Sequence, residues 1–216
     1  MNTEIARQQM IEQQVRAWNV FDPDVLAVLA QIPREKFVPQ AFRALAFSDT
    51  RIPIGYGQTM MTPTLEGRIL QALELDRTQK ILEVGTGSGF LTACLATLSA
   101  HVTSVEIFEA LSKQAGDRLA DAGIANIDLH CMDGTAQLPP GRYDAIVVTG
   151  SIHRFDPRYV EALGAGGRLF VVVGDPPIMD ARLLRRTADS DWASESLFET
   201  CLAPLINAGR PPQFVF

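Results

Sequence analysis

The sequence predicts an α/β protein built on a doubly wound, mostly parallel sheet. Apolar runs of strand length alternate with helical patterns along most of the chain, as repeated βαβ units require. The run at 81–84 is followed by three glycines at alternate positions, Gly85, Gly87 and Gly89, and then by a helical pattern. Residues 143–149 contain a continuous apolar run, which is typical of strands buried on both faces of a parallel sheet.

The composition is that of an ordinary globular domain. The chain has 216 residues, 47% of them hydrophobic and 20% charged, with a net charge of -6. Surfaces that bind nucleic acid favour positive charge, so the sequence argues against a nucleic-acid partner. No apolar run approaches membrane-spanning length, and the N-terminus has no apolar signal region. We therefore expect neither membrane insertion nor secretion.

Cysteine and histidine usage predicts a cytoplasmic protein without a bound metal. The three cysteines are odd in number and widely scattered. This pattern is typical of reduced thiols rather than of a disulfide framework. The three histidines show no metal-ligand spacing either.

The N-terminal part is predicted to be helical up to a loop. Residues 3–18 carry apolar side chains at helical spacing, and Asp22 followed by proline is a typical start of a second helix, which Pro33 ends. Residues 52–63 have glycines, threonines and a glutamine between prolines, which indicates a loop. Thr62 followed by proline then predicts the cap of the next helix. The loop is therefore well placed to line a pocket, although a plain connector is the alternative.

Residues 80–106 are predicted to form a βαβ unit that binds a nucleotide-like ligand. A helical pattern follows the glycines, and a second apolar strand at 102–105 ends at Glu106. The glycines let the backbone turn sharply and approach a ligand closely, which a Cβ atom would prevent. Glu106 follows at a spacing of about 20 residues, which suits a ribose diol.

The details of this unit narrow the choice of ligand. The position that would complete a dinucleotide glycine pattern is Phe90, and the chain has no P-loop pattern. Glu83 lies inside the strand just before the glycines, where a carboxylate repels a phosphate but accepts a hydrogen bond from an ammonium. The unit therefore favours a ligand with an amino-acid end and no phosphate. A tight turn that binds nothing is the alternative.

The second half of the chain completes the predicted sheet. Asp133 and Gly134 follow a strand predicted at 127–131, at the carboxyl end where ligands of open α/β sheets lie. Asp133 is therefore a candidate to bind an adenine amine, with a simple turn as the alternative. The other predicted elements are helices at 109–122 and 157–163, a turn at 164–167, a strand at 168–173 and antiparallel strands at 181–187 and 197–202. We predict a single domain with N-terminal helices and a covering loop at 1–79, a cofactor-binding core at 80–174 and C-terminal strands at 175–216.

In their order, these stretches resemble one family. The pattern E-x-G-x-G-x-G resembles the cofactor loop of class I methyltransferases that use S-adenosylmethionine. The chain from about residue 8 to 174 resembles the protein-L-isoaspartate (D-aspartate) O-methyltransferase family. The resemblance is carried by IPREKFVP at 32–39, IPIG at 52–55, GQT at 57–59, ILEVGTGSGF at 81–90, VTSVEI at 102–107, MDG at 132–134, YDAIVVT at 143–149 and LGAGGRLFVVVG at 163–174. The segment ending in GQT is more specific than the cofactor loop, which many methyltransferases share.

The resemblance implies an enzyme with a Rossmann-like class I methyltransferase fold. It implies methyl transfer from S-adenosylmethionine to the free α-carboxylate of an isoaspartyl residue in a damaged peptide or protein. The ester then cyclises to a succinimide that partly reopens to aspartate, which repairs the protein. Such a carboxylate is already ionised near neutral pH, so the reaction needs no general base. The oligomeric state stays open.

The resemblance also implies roles for particular residues. The cofactor-binding residues it implies are Glu83, Gly85, Thr86, Gly87, Ser88, Gly89, Glu106, Ile107, Asp133 and Gly134. The glycines are expected to pass under the cofactor, with Glu83 near its methionine end and Glu106 at the ribose hydroxyls. Asp133 and Gly134 are expected at the adenine. The loop at 58–64 is expected to cover the methyl donor and the substrate.

Three departures from the family fall where the substrate is expected. The family pattern G-Q-T-I-S-x-P has an active-site serine where this chain has Met61, and a thioether cannot donate a hydrogen bond. Thr59 and Thr62 can supply a neighbouring hydroxyl and are our candidate catalytic residues. The segment 150–154 differs from the family's T-A-A-P pattern, and 201–205 differs from its R-F-V-P-L pattern. The sequence therefore supports cofactor binding better than it supports the identity of the acceptor.

Other functions stay open at this point. One is a methyltransferase of the same fold with a different acceptor, for which Met61 is the reason. Another is a non-catalytic module that binds the cofactor or a partner protein, and a nicotinamide enzyme is a more distant one. His153 and Arg154 follow the strand at 143–149, and we interpret them as surface residues rather than as carboxylate-binding groups.

Overall fold

The computed structural model describes residues 3–188 and 191–209. The α-helices are α1 (Thr3–Met10), α2 (Pro23–Gln31), α3 (Arg34–Phe37), α4 (Pro63–Leu73), α5 (Phe90–Leu98), α6 (Glu109–Asp121) and α7 (Pro157–Glu161). The strands are β1 (Ile52–Gly55), β2 (Gln58–Met60), β3 (Lys80–Val84), β4 (His101–Glu106), β5 (Ile127–Cys131), β6 (Tyr143–Ile152), β7 (Leu163–Asp175), β8 (Ile178–Arg186) and β9 (Trp192–Thr200). Residues 189–190 and 210–216 of the predicted C-terminal segment lie outside the described residues.

Seven strands form one mixed sheet in the order β5-β4-β3-β6-β7-β8-β9. The five strands β3 to β7 are mutually parallel, whereas β8 and β9 are antiparallel to their neighbours. The predicted fold class is therefore confirmed. The chain runs outward from β3 to β5 and returns to place β6 on the other side of β3. This reversal creates a crevice at the carboxyl ends of β3 and β6, which is where open α/β sheets bind ligands.

The last strands differ in extent from the prediction. The turn predicted at 164–167 is part of β7, because Leu163 already pairs with Tyr143 at the start of β6. The strand predicted at 197–202 begins earlier, at Trp192, and ends at Thr200. It ends there because the following segment turns to bond β6, with the Ser151 amide donating to the Ala203 carbonyl at 2.9 Å.

The segment predicted as a loop at 52–63 forms a β-hairpin. β1 and β2 pair antiparallel, and the turn between them holds Gly55, Tyr56 and Gly57 at φ values of 101°, 54° and 71°. Glycine-rich composition indicated a turn correctly, but the pairing of two such short strands was not predicted. The N-terminal helix predicted at 3–18 is present as α1 followed by a π-helical and a 3₁₀ stretch.

Two helix starts follow the predicted caps. The Asp22 carboxylate accepts hydrogen bonds from the Asp24 and Val25 amides at the start of α2. The Thr62 hydroxyl accepts from the Leu65 amide at the start of α4. Each cap precedes a proline, whose missing N–H needs no partner in the first turn.

The sheet is packed on both faces. The larger apolar cluster contains residues of α2, α4, α5 and α6 together with one face of the sheet. The smaller cluster packs the other face against α7 and the segments around it. Burial on both faces explains why the central strands are almost wholly apolar.

Candidate active site

The crevice at the carboxyl ends of the parallel strands has two connected compartments. The large compartment has an empty volume of about 720 Å³, counting the solvent at its mouth, and is lined by Gly85, Glu106, Asp133 and Thr149 among others. The small compartment has Glu83 on its wall and shares Thr59, Gly85 and Thr149 with the large one. The carboxyl ends of neighbouring strands thus bring together residues that are far apart in the chain.

The glycine loop after β3 is held by backbone and side-chain contacts. Gly85 has a φ of +103°, and a Cβ atom there would lie 2.2 Å from Thr149 Oγ1. That hydroxyl donates to the carbonyls of Val84 and Gly85 at 2.9 and 2.7 Å. Gly87, with a φ of +53°, lines both compartments. Only glycine fits at position 85 without displacing Thr149, whose hydroxyl holds the loop in place.

Gly89 lies outside the described lining of both compartments. It begins α5 with a φ of +86°, and a Cβ atom there would lie 3.1 Å from Ala115 Cβ on α6. It therefore permits close packing of two helices rather than lining the crevice. Thr86 and Ser88 line the small compartment, and Thr86 Oγ1 lies 2.6 Å from Ser104 Oγ.

Glu106 ends β4 and faces the large compartment. Its Oε2 accepts a hydrogen bond from the Gly87 amide at 2.8 Å, and its Oε1 accepts from the Phe108 amide at 3.1 Å. These two bonds fix the carboxylate between the glycine loop and the turn after β4, where Ile107 also lines the compartment. Each carboxylate oxygen keeps a further lone pair for a ligand hydroxyl.

Glu83 is fully buried beside the small compartment. Its Oε2 accepts from Thr92 and Ser104 hydroxyls at 2.5 and 2.6 Å, whereas its Oε1 has no hydrogen-bond partner among the described residues. Burial, helped by the nearby Glu106, raises the pKa of Glu83 to about 8, against the lowering effect of these two hydroxyls. A buried acid with an unpartnered oxygen favours an incoming cation.

Asp133 lines the large compartment and is already hydrogen-bonded. Its Oδ1 accepts from the Thr135 amide and hydroxyl at 2.8 and 2.7 Å, and its Oδ2 accepts from Asn207 at 2.8 Å. Burial opposes ionisation, but these bonds hold the pKa of Asp133 below its usual value. Gly134 is sterically required, since a Cβ atom there would lie 2.7 Å from Val84.

The β1–β2 hairpin forms one wall of the crevice. Ile54, Gln58 and Thr59 line the large compartment, and the Tyr56 ring stacks on Phe108 with 4.9 Å between centroids. Thr59 is exposed and also borders the small compartment. The hairpin therefore lies beside the site, as the position of this segment before the cofactor-binding unit suggested.

A separate cavity lies next to the crevice. This cavity, called here the arginine pocket, has an empty volume of about 710 Å³, again counting the solvent at its mouth, and is lined by Arg51, Arg68, Thr59, Met61 and Thr62 among others. Thr59 thus borders both compartments of the crevice and the arginine pocket.

The two threonine candidates are not equivalent. The Thr62 hydroxyl caps α4 by accepting from the Leu65 amide at 3.3 Å, and it lies 3.0 Å from the Thr64 hydroxyl. It lines the arginine pocket, whereas Thr59 also lines the crevice. Met61, at the position of the family's serine, is buried and borders the small compartment and the arginine pocket.

Arg34 supports this region, and sequence reasoning missed it. It is fully buried, and its guanidinium donates to the carbonyls of Met61 at 2.6 Å and Ala46 at 2.9 Å. It also pairs with the buried Glu66 carboxylate of α4 and lies 4.7 Å above the Phe90 ring. A single buried charge in a polar stretch gives no periodic signal that could have identified it.

The segments 150–154 and 201–205, which differ from the family pattern, are hydrogen-bonded to each other. Ser151 Oγ donates to the Leu202 carbonyl, and the Leu205 amide donates to the Ser151 carbonyl, both at 2.9 Å. Gly150 is closely covered by Leu205, which a Cβ atom would approach to 2.7 Å. These departures from the family pattern therefore form one wall of the large compartment.

His153 and Arg154 lie apart from the lining of the crevice. His153 Nδ1 is 2.5 Å from Asp175 Oδ1, and Arg154 is exposed. Sequence reasoning also missed Thr149 and Asn207 as parts of the site. The threonine at the end of a predicted core strand was a usable signal for the first, whereas Asn207 had none.

The charges that line the crevice decide which ligands fit. Among the described residues lining the two compartments, the acids are Glu66, Glu83, Glu106 and Asp133, and there is no lysine or arginine. Such a site disfavours a phosphorylated ligand and favours one that carries positive charge and hydroxyl groups. A sulfonium ligand with an ammonium and a ribose meets these requirements, and a dinucleotide does not.

In residues 3–188 and 191–209, no group of three or more His, Cys, Asp or Glu side chains is arranged to hold a metal ion. Among the same residues, no helix is both long and apolar enough to cross a membrane.

The fold and the site define a class I S-adenosylmethionine-dependent methyltransferase. A family profile described as protein-L-isoaspartate(D-aspartate) O-methyltransferase matches residues 5–209. The chain belongs to this family, which confirms the resemblance found in the sequence.

Relatives and a solved structure agree with this assignment. The chain is 39% identical over 202 residues to protein-L-isoaspartate O-methyltransferase 1 of Rhodopseudomonas palustris, covering 93% of this chain and 82% of the relative. It is 38% identical over 209 residues to protein-L-isoaspartate O-methyltransferase 2 of Pelobacter propionicus, covering 96% and 93%. A Plasmodium falciparum structure described as the same enzyme in complex with S-adenosyl-L-homocysteine superposes with a TM-score of 0.78 at 20% identity, covering 95% of this chain and 98% of that one. At that identity, the structural likeness shows the fold.

Proposed function

We propose that the chain transfers a methyl group from S-adenosylmethionine to the free α-carboxylate of isoaspartyl residues in damaged proteins. We place this transfer next to the side chain of Thr59. One observation carries this placement: Thr59 borders both compartments of the acidic crevice and the arginine pocket. A donor in the crevice and an acceptor in the pocket can therefore meet there. Family membership supports the reaction.

The two compartments would hold different ends of the methyl donor. Glu106, fixed by the Gly87 and Phe108 amides, would accept from the ribose hydroxyls in the large compartment. Asp133, with Gly134, would lie at the adenine end. The unpartnered Oε1 of Glu83 would accept from the ammonium of the amino-acid end.

The donor supplies an electrophilic methyl group on a positively charged sulfur. In the reaction, a carboxylate oxygen forms the new O–C bond while the C–S bond breaks and its electron pair stays on sulfur. No proton moves, because the carboxylate is already ionised. The protein therefore has to align the reactants and exclude water. Alignment of this kind is worth on the order of 7–11 kcal/mol in ideal cases.

Thr59 and Thr62 would contribute unequally to alignment. The Thr62 hydroxyl is engaged at the start of α4 and borders only the acceptor side among these cavities. Thr59 is exposed where the three cavities meet, so its hydroxyl would reach the acceptor in place of the missing serine. Met61 would provide an apolar wall that keeps water from the methyl group.

The test is methyl transfer from labelled S-adenosylmethionine to an isoaspartyl peptide. We expect a base-labile methyl ester on this peptide and none on the matched aspartyl peptide. Gly87→Val serves as the variant with a blocked crevice. If the wild-type chain forms no ester above this background, the acceptor is wrong. Transfer to a different acceptor would then favour the second candidate, a methyltransferase of the same fold whose acceptor changed with Met61.

We also propose that the segments 1–79, 80–174 and 175–216 work as a single domain in the cytoplasm. Support for one domain comes from the larger core cluster, which contains described residues of the first two segments and of β8. Support for a reducing compartment comes from Cys94, Cys131 and Cys201, which are all free thiols.

A further inference from the structure

The arginine pocket contains two guanidinium groups beside the proposed point of methyl transfer. It lies between the hairpin, the first turns of α4 and the end of β9. Arg51 and Arg68 line it together with Thr59 and Met61, which also border the crevice. A ligand in this pocket would therefore be next to the methyl donor.

Arg51 is available to bind an anion. It is exposed, and its Nη2 donates to the main-chain carbonyl of Cys201. Among the described residues, it forms no ion pair, so most of the five N–H groups of its guanidinium have no protein partner. Cys201 stands where the family pattern has an arginine, so Arg51 brings a guanidinium to a place that has lost one.

Arg68 adds a second positive charge to the same pocket. Its guanidinium carbon lies 4.1 Å from the centroid of the Phe198 ring, and its Nη1 is 3.5 Å from the Trp18 carbonyl. Within the described residues, it has no carboxylate partner. The aromatic stacking fixes the orientation of the side chain without neutralising it.

The two acids that line the pocket do not neutralise these arginines. Asp49 Oδ1 accepts from the Thr64 amide at 3.2 Å and from the Thr64 hydroxyl at 2.7 Å, so it faces the start of α4. Glu199 is exposed at the end of β9. Neither lies within ion-pair distance of Arg51 or Arg68 among the described residues. The pocket thus offers unpaired cations to an anionic group, unlike the acidic crevice.

We propose that Arg51 binds the free carboxylate of the acceptor in the arginine pocket and that Arg68 strengthens this binding by its charge. The proposal rests on the proposed function, because it names the residues that hold the acceptor of that reaction. A guanidinium binds a planar carboxylate through two parallel hydrogen bonds, which fixes the orientation of the oxygens. Methylation removes the negative charge of the acceptor, so the ester product is held less strongly and leaves.

The experiment compares wild type, Arg51→Ala and Arg51→Lys with an isoaspartyl peptide. For Arg51→Ala, we expect KM to rise by about tenfold or more, as for the loss of a charged hydrogen bond. We expect kcat to change much less and the Kd for S-adenosylhomocysteine to stay the same. Arg51→Lys keeps the positive charge but cannot form two parallel hydrogen bonds to a carboxylate. Its KM should therefore lie between those of wild type and Arg51→Ala. A kcat/KM for Arg51→Ala equal to that of wild type would overturn the proposal.

The matched control is Arg77→Ala, which removes an exposed arginine outside the pocket. It changes the net charge by the same amount as Arg51→Ala, so a general charge effect would appear in both variants. We expect the KM of Arg77→Ala to equal that of wild type. An equal rise in KM for both variants would contradict a specific role for Arg51.

A binding measurement separates this proposal from the proposed function. In the presence of S-adenosylhomocysteine, peptide affinity is measured for the isoaspartyl peptide and for its α-carboxamide analogue. Wild type should prefer the free carboxylate by about tenfold, and Arg51→Ala should bind both peptides alike. If wild type transfers no methyl group but shows this preference, the proposed function fails and Arg51 still binds carboxylate. If wild type binds both peptides equally, the role of Arg51 is refuted whatever the turnover.

Discussion

The crevice and the arginine pocket meet at Thr59 but differ in their charged groups. The described lining of the crevice is acidic and has no lysine or arginine, whereas the pocket holds two guanidinium groups without ion-pair partners. A donor that carries a sulfonium and an ammonium suits the first, and an acceptor that carries a carboxylate suits the second. The unpaired guanidinium groups of the pocket and the acids of the crevice therefore favour one reactant in each cavity.

The two cavities also differ in how the chain builds them. The crevice consists of a glycine loop and of acids at the ends of consecutive strands, so a short stretch of sequence specifies most of it. The pocket combines Arg51, Arg68 and Glu199, which come from the segment just before the hairpin, from α4 and from β9. All three departures from the family lie outside the cofactor loop: Met61 borders the small compartment and the arginine pocket, whereas the segments 150–154 and 201–205 form a wall of the large compartment.

The largest expected effect is at the glycine loop of the crevice. Gly87→Val should weaken S-adenosylhomocysteine binding by at least about 100-fold, because the side chain would occupy the surface against which the ligand lies. A Cβ atom there would already lie 3.3 Å from Ile54. Binding is measured by calorimetry.

Gly166→Val is the control for this variant. Gly166 has a φ of +71°, close to the +53° of Gly87, and a Cβ atom there meets nothing within 4 Å. It therefore shares the backbone strain but lies away from the crevice. We expect its affinity to equal that of wild type, and unchanged affinity in Gly87→Val would contradict our placement of the ligand.

The next effect concerns the buried ion pair between Arg34 and Glu66, which lies beside the arginine pocket. Arg34→Met should lower the free energy of unfolding by about 3–5 kcal/mol, because it leaves Glu66 buried without its partner. Arg34→Met combined with Glu66→Leu should recover part of this loss, but the Met61 and Ala46 carbonyls still lack their donor. Urea unfolding measures both. A loss below about 1 kcal/mol in the single variant would mean that the pair does not stabilise this region.

The next effect is the pH dependence of stability that the crevice acid causes. The pKa of Glu83 is about 8 in the folded protein, against a reference value of 4.5. Between these values, the folded chain keeps a proton that the unfolded chain has released. The contribution of Glu83 to stability therefore falls as pH rises, by up to about 1.4 kcal/mol per pH unit.

Glu83→Gln removes this titration and keeps similar hydrogen-bonding groups. Urea unfolding gives the free energy of unfolding of both proteins between about pH 5 and pH 8. The stability of the variant relative to wild type should rise as pH rises, because only wild type loses the contribution of Glu83. Glu66 and Glu106 interact electrostatically with Glu83, so the difference reports Glu83 together with its effect on these two neighbours. Parallel pH profiles would show that Glu83 is ionised in the folded state at neutral pH.

The parts of the fold that were predictable depend on local patterns. The parallel strands, the caps at Asp22 and Thr62, and the acids at strand ends all follow from residues a few positions apart. Parallel strands place their carboxyl ends at one edge of the sheet, so Glu106 and Asp133 could be brought together before the structure was known.

The parts that were not predictable depend on contacts between distant residues. The Arg34 contact with Met61 joins positions 27 apart, and the bond from Ser151 to Leu202 joins positions 51 apart. The β1–β2 hairpin is short and glycine-rich, so composition indicated a loop. A glycine that lets two helices pack looks the same in sequence as one that contacts a ligand, so the packing of Gly89 against α6 could not be predicted.

The smallest expected effect tests whether the acceptor side lacks a hydroxyl. Met61→Ser should raise kcat/KM for an isoaspartyl peptide by about two- to tenfold, as one added hydrogen bond to the acceptor would. Met61→Ala is the matched control, because it leaves the same space beside the crevice without a hydroxyl. Each variant is assayed with the affinity for S-adenosylhomocysteine as a check that the crevice is intact. If Met61→Ser and Met61→Ala have the same activity, the hydroxyl of Thr59 already suffices, and the charge of the arginine pocket rather than the lost serine governs the choice of acceptor.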